Sequence, residues 1–243
     1  MVETHHRAGA CEIKFVVDAA LAERIRAWAR HHLEPDPHGG GPSSDEYQTA
    51  SLYFDTAGFD VFHRRGSFGR AKYRIRHYGG GEGAGETLFL ERKLRRPNLL
   101  VKRRTRIPAG DLALLDNPAA GDWPGRWMSR RIVARQLLPM CQVSYSRTAR
   151  GIETPTGPAR LTIDESLSAL PIGEIQFRPE PGLPFLEGQR ILELKFRSAL
   201  PAIFKRLIEE MALAPVTASK YRLGMTAIGR VPVDAAVMVA RPA

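Results

Sequence analysis

Apolar and polar positions alternate one by one along most of this chain. CEIKFVV (11–17), TASLYFDT (49–56), RAKYRIRHYG (70–79), TLFLERKLR (87–95) and LVKRRTRIP (100–108) come first. CQVSYSRTAR (141–150), ARLTIDESL (159–167), RILELKFR (190–197) and SKYRLGM (219–225) follow. Successive strand side chains point to opposite faces, so each segment reads as a β-strand, supported by its β-branched and aromatic content. GGGEGAGE (79–86) reads as a flexible hairpin connection and EPDPHGGGPSSDE (34–46) as a mobile loop. Helical spacing is rarer. DAALAERIRAWARHH places Leu21, Ile25 and Trp28 on one side behind Asp18 as N-cap. DWPGRWMSRRIVARQLL (122–138) is a second helix. LPAIFKRLIEEMAL is a third, with Pro201 in its first turn and Phe204, Leu207, Ile208 and Met211 on one side. No linker divides the strand series. The pattern predicts a single α+β domain over 1–243, antiparallel, with a core of about 11–228, a flexible N-terminus and a C-terminal tail.

The polar side of these strands is mostly cationic. Arg70, Lys72, Arg74 and Arg76 share one face, as do Glu91, Lys93 and Arg95 opposite Leu88, Leu90 and Leu94. Lys102, Arg104 and Arg106 share another; Glu12 and Lys14, Arg160 and Asp164, and Glu193 and Lys195 repeat the arrangement. Arg147 follows Tyr145 at the same parity, and Lys220 is paired with Arg222. A solvated sheet face explains any single strand. It explains the set less well, because like charges opposite one another on neighbouring strands repel. A sheet closed into a barrel, charged inside and apolar outside beneath flanking helices, accounts for all of them and removes the strand edges.

Charge sharpens this picture. The chain has 36 Lys and Arg against 26 Asp and Glu, a net charge of +10, which favours anionic partners without choosing among them. Two cysteines, Cys11 and Cys141, without a CxxC give no support to a disulfide framework or a cysteine zinc site. No apolar run approaches the roughly 20 residues of a membrane span, and MVETHHRAGACEIKF lacks a signal peptide's apolar stretch, so a soluble, cytoplasmic protein is expected. The pairs His5–His6 and His31–His32 read as solvent-exposed, and no GK[ST] follows the glycine run. Nucleic-acid binding would want aromatics exposed among the basic residues, whereas aromatics such as Tyr73 tend towards the apolar parity. Arg24, Arg26 and Arg30 read as a solvated helix face, and Arg103, Arg130 and Arg131 as lying outside the barrel.

The motifs EIKF, SLYFDT, KYRIRHYG, FLERK, VKRR, YSRTA, RLTIDESL, LELKF and SKYRLGM, in that order from residue 11 to about 225, resemble the VTC domain. This is the polyphosphate polymerase domain of the triphosphate tunnel metalloenzyme superfamily. The resemblance implies a closed antiparallel tunnel that transfers the γ-phosphate of ATP to growing polyphosphate with Mn²⁺ or Mg²⁺. Hydrolysis of tripolyphosphate or a nucleoside triphosphate in the same tunnel, or polyphosphate binding without turnover, are the alternatives. Carried over by position, Lys14, Arg74, Arg76, Lys93, Lys102, Arg147, Arg160 and Lys220 would grip phosphate, with Lys195 and Arg222 joining them around the nucleotide. Glu193 matches the family's metal-coordinating glutamate, and Glu12 and Glu91 lie on the same inward faces. Lys72 and Arg70 would line the entrance. Ala10 stands where the wider superfamily's ExExK opens with Glu, which favours the polymerase branch. Expected partners are ATP, polyphosphate and pyrophosphate or phosphate, with no nucleic acid. An SPX domain and membrane helices are absent from the chain, so translocation of product would need a membrane partner protein.

Overall fold

The computed structural model describes residues 11–36, 45–68, 71–79, 86–96, 99–117, 119, 121–231 and 241–242. The N-terminus, most of loop 34–46, most of the glycine run, Arg70 and most of the C-terminal tail lie outside these. In chain order the elements are β1 (Cys11–Asp18), α1 (Ala19–His32), β2 (Glu34–Pro35), β3 (Glu46–Asp55), α2 (Asp60–His63) and β4 (Ala71–Gly79). Next come β5 (Thr87–Arg96), β6 (Leu99–Pro108), α3 (Arg126–Ala134), β7 (Leu138–Thr154), β8 (Gly157–Pro171) and β9 (Leu183–Pro184). The chain continues through β10 (Gln189–Phe196), α4 (Ala202–Glu210), β11 (Val216–Thr217), α5 (Lys220–Ala227) and β12 (Arg241–Pro242).

One antiparallel sheet runs in the order β1-β10-β8-β7-β3-β4-β5-β6, with β2 added to β7 and β9 to β8. Its strands alternate as the sequence predicts, and the apolar parity is the outer one. Leu52, Ile75, Leu90 and Ile107 pack outward against Trp127 and Met128 of α3. Phe15, Leu161 and Leu194 pack against Ile25 and Trp28 of α1 and Phe204 and Leu207 of α4. Each such side chain contributes about 1.5–3 kcal/mol when fully buried. Asp18 caps α1 as expected, accepting from the Leu21 N–H at 2.7 Å.

The expected closure does not occur: β1 and β6 are the two ends of the strand order, and no ladder joins them among the described residues. The sheet still curls. Lys93 of β5 reaches Glu12 of β1, 3.2 Å away. The segment entering α5 lies beside β1, where the Lys14 ammonium donates to the Ala218 carbonyl oxygen. Side chains, rather than backbone hydrogen bonds, therefore span the seam.

Two further expectations change. SKYRLGM is not a strand but the start of α5. Tyr221 and Met225, four apart, are both buried, so helical spacing governs this short apolar run. Gly224 permits the contact, because a Cβ there would stand 3.1 Å from side-chain atoms of Ala169 and Val143. The α1 cations are not a uniformly solvated face. Arg26 is buried, pairing with Glu23 and with Glu165 at 2.7 Å, and Arg30 grips Asp45 with two nitrogens. Both are held because α1 packs its polar edge over carboxylates of β3 and β8 and of the residue preceding β3.

Candidate functional site

Strand register arranges the charged parity into rows. Lys72, Lys93 and Lys102 stand opposite one another on β4, β5 and β6; Arg74, Glu91 and Arg104 form the next row. On the other half of the curl, Glu12 faces Lys195, Lys14 faces Glu193, Lys195 faces Arg160 and Arg147 faces Asp164. Cations opposite cations are unfavourable in a sheet. Only some are relieved by carboxylates, and those carboxylates fall into two groups.

Glu193 centres the first. Its Oε1 takes Lys220 at 2.9 Å and Lys14 at 3.2 Å, and its Oε2 takes Lys195 at 2.8 Å. Lys14 also meets Glu12 at 3.1 Å, so one ammonium bridges two carboxylates. Beside them Arg147 clasps the fully buried Asp164 in a two-point pair of 2.6 and 2.8 Å, and Lys220 reaches the same carboxylate. Burial opposes ionisation of Glu193, yet Lys14, Lys195 and Lys220 outweigh it and hold the carboxyl well below its usual range. Asp164 is lowered likewise, against burial, by Arg147 and Lys220. Lys195 is pushed down to about 8, because its burial outweighs the attraction of Glu193 and Glu12.

Glu91 centres the second, buried and contacted by Arg74, by Lys102 at 2.8 Å and by Arg104 at 3.4 Å. Among the described residues Lys72 has no ion-pair partner; it donates to Ser219 Oγ at 3.1 Å. Although its surface stays open to the channel, enclosing protein, then Lys14 and Lys93, press its ammonium down to about 7. Arg76 feels the Glu91 carboxylate but makes no ion pair with it or with any other carboxylate among the described residues. It is 6% exposed, and its guanidinium donates only to hydroxyls: Ser51 at 3.2 Å, Tyr145 at 3.1 Å and Tyr78 at 3.5 Å.

The concave side thus brings together Lys14, Arg74, Arg76, Lys93, Lys102, Arg147, Arg160, Lys195 and Lys220, with Glu12, Glu91 and Glu193. Arg222 is separated from them. It lies two positions from Lys220 on a helix, so it points elsewhere, and its guanidinium rests 5.3 Å over the Phe62 ring. Arg103 is outside, over Trp127, and Arg130 and Arg131 are exposed on α3.

Sequence reasoning missed the tyrosines. Tyr47, Tyr53, Tyr78 and Tyr145 accept from Arg160, Arg74, Arg76 and Arg104, so aromatics do stand among the cations. Their parity carried the signal: Tyr78 continues the row of Lys72, Arg74 and Arg76, and Tyr145 precedes Arg147 by two. Against its burial, Arg76 and Arg104 pull the Tyr78 phenol down to about 7. Asp55 was also missed. Fully buried, it accepts from the backbone N–H groups of Thr56, Val61 and Phe62 and from the Tyr221 hydroxyl at 2.6 Å. That carboxylate ties α5, and hence Lys220, to the end of β3.

For a metal, the donor chemistry fits a hard divalent ion in one place. Glu12 and Glu193 share Lys14, while Glu12 also meets Lys93 and Glu193 also meets Lys195 and Lys220. Among the described residues no three His, Cys, Asp or Glu cluster, so other oxygens must complete the shell. That is the habit of Mg²⁺, which commonly pairs one or two carboxylates with substrate phosphates. Glu91 stands apart from this pair, with Arg74, Lys102 and Arg104 as its own partners and no ion-pair partner in common with Glu12 or Glu193 among the described residues.

Comparison with known proteins gives a family and a fold. The model of the family described as VTC domain matches residues 10–228. No match was found among curated proteins. A solved structure from Bacillus halodurans, titled a "putative adenylate cyclase", superposes with a TM-score of 0.53 at 15% identity, covering 88% of this chain and 96% of that one. Among the described residues no helix is long and apolar enough to cross a membrane.

Proposed function

The chain belongs to the VTC domain family, and we propose that its channel binds ATP and inorganic polyphosphate and transfers the γ-phosphate of ATP to the polyphosphate chain. The observation that carries this reading is Arg76, a buried guanidinium with no carboxylate partner among the described residues. An enclosed charge of this kind is destabilising unless an anion arrives to meet it. The row Lys72–Lys93–Lys102, relieved in part by Glu12 at Lys93 and by Glu91 at Lys102, extends the same demand along the channel, as an anion longer than one phosphate would require.

In the proposed reaction a terminal oxygen of polyphosphate attacks the γ-phosphorus of ATP. A new P–O bond forms, the bond to the β–γ bridging oxygen breaks, and ADP leaves with that electron pair. The attacking oxygen is already ionised, so no general base is needed. Protein groups contribute alignment and charge neutralisation, which dominate phosphoryl transfer. Arg76 and Arg74 present planar forks suited to phosphate oxygens, while Lys14, Lys93, Lys102, Lys195 and Lys220 act as movable point charges. Arg147 and Arg160 are more constrained, by Asp164 and by Asp36 and Tyr47, and serve to hold position. Glu193 and Glu12 would hold Mn²⁺ or Mg²⁺, which when bound neutralises charge on the reacting phosphate oxygens.

The test is incubation of purified protein with ATP and Mn²⁺, following ADP, orthophosphate and polymer length together. ADP with a lengthening polyphosphate ladder is expected. ADP with equal orthophosphate and no ladder replaces the reading with hydrolysis, and tight polyphosphate binding without release of either leaves a binding module.

A further inference from the structure

We propose that the outer surface formed by β5, β6 and α3 is a docking face for an anionic lipid bilayer. This face lies on the convex side of the sheet, so the proposal is independent of what the channel does. Arg92 and Arg103 stand opposite one another on β5 and β6, and Arg103 lies 4.5 Å over the Trp127 ring of α3. Burial, then the neighbouring Arg92 and Arg131, lowers the affinity of Arg103 for its proton, which places those three charges in one field.

None of Arg92, Arg103, Arg126, Arg130 and Arg131 has an ion pair or side-chain hydrogen bond among the described residues. The Nε atoms of Arg92, Arg103 and Arg126 are shielded from solvent and lack an acceptor. Outside the channel, other enclosed arginines are neutralised: Arg26 by Glu165 and Arg150 by Asp45. The outer cluster departs from that habit.

Apolar groups stand beside the charges. Three large hydrophobic side chains are exposed among the described residues, and two of them, Val133 at 58% and Leu138 at 48%, lie at the end of α3 and just after it. The opposite face of α3 is anchored by Trp127 and Met128. Guanidinium groups recognise phosphate oxygens by geometry as well as charge. Exposed aliphatic side chains among arginines on a surface helix suit the boundary between headgroups and acyl chains. An inorganic polyanion would leave Val133 and Leu138 facing water. The combination therefore selects a bilayer.

The experiment is co-sedimentation of the whole protein with vesicles of phosphatidylcholine, alone or mixed with phosphatidylglycerol. Wild-type protein should sediment with the anionic vesicles only. Arg130→Glu/Arg131→Glu should weaken this roughly tenfold or more, and Val133→Ser, at constant charge, should weaken it several-fold. Arg24→Glu/Lys205→Glu carries the same charge change on α1 and α4 and should sediment like wild type. Absence of sedimentation in the wild type, equal loss in the α1/α4 control, or unchanged sedimentation of Arg130→Glu/Arg131→Glu would overturn the proposal. If that α3 variant instead loses inorganic polyphosphate binding while keeping vesicle binding, the occupant is polyphosphate and the bilayer is excluded.

Discussion

Burying a full positive charge against hydroxyl groups alone costs stability in the ligand-free protein. Arg76 is in that position, donating among the described residues to the hydroxyls of Ser51, Tyr78 and Tyr145 and to no carboxylate. Arg76→Met should therefore stabilise the free protein, by about 1–2 kcal/mol, while removing the rise in melting temperature that polyphosphate gives the wild type. Calorimetry with and without polyphosphate measures both; a destabilised variant that still responds to polymer would count against the reading. Protons report on the lysines. Lys72 and Lys195 titrate at about 7 and about 8 in the folded chain, below the roughly 10.4 of an unfolded lysine. Between those values the unfolded chain binds more protons, so ligand-free stability should rise as pH climbs from about 8 towards 10. An anion reverses the depression. Polyphosphate binding at pH 8 should thus take up protons, measurable by titration calorimetry in buffers of different ionisation enthalpy. The acidic side runs oppositely: Glu193 and Asp164 are depressed, so their contribution is present above about pH 4–5 and lost as pH falls further. At this scale the cations were legible, since parity fixes the face of a strand residue. Which of them would be neutralised was not, because Asp164 and Glu91 meet their partners through strand pairing that no local pattern encodes.

Helix α5 shows where element-level reading stops. SKYRLGM fits an alternating pattern and a helical one equally well, and seven residues cannot separate them. Tertiary packing decides it: Tyr221 stacks on Tyr53 with ring centres 5.4 Å apart, and its hydroxyl reaches Asp55. The same packing turns Lys220 towards Asp164 and Glu193 while Arg222 goes to Phe62. Tyr221→Phe removes one of the four hydrogen bonds that Asp55 accepts. It should cost about 1–3 kcal/mol of stability and weaken polyphosphate binding more than the stability loss alone explains, because Lys220 loses its alignment. Binding isotherms compared well below the melting temperature separate the two effects. The helices α1 and α4 needed no such help, since their apolar stripes and the Asp18 and Pro201 starts are local features.

The sheet as a whole is curled without being joined. Strand content, parity and antiparallel order follow from the sequence pattern; closure would need a ladder between β1 and β6, and nothing in either strand's own pattern specifies it. Across that gap β5 reaches β1 through a partly exposed ion pair, Lys93 to Glu12. Exposed pairs are worth about 0.2–1 kcal/mol, so Lys93→Gln should barely move the melting temperature yet speed amide hydrogen exchange in β1, which mass spectrometry resolves by segment. A closed ring can only be threaded from a free end. A slot fastened by a few side-chain clasps can also be entered from the side, anywhere along a polymer. Polyphosphate anchored to beads at both ends should therefore still capture this protein, whereas a ring-bound grip would ignore it.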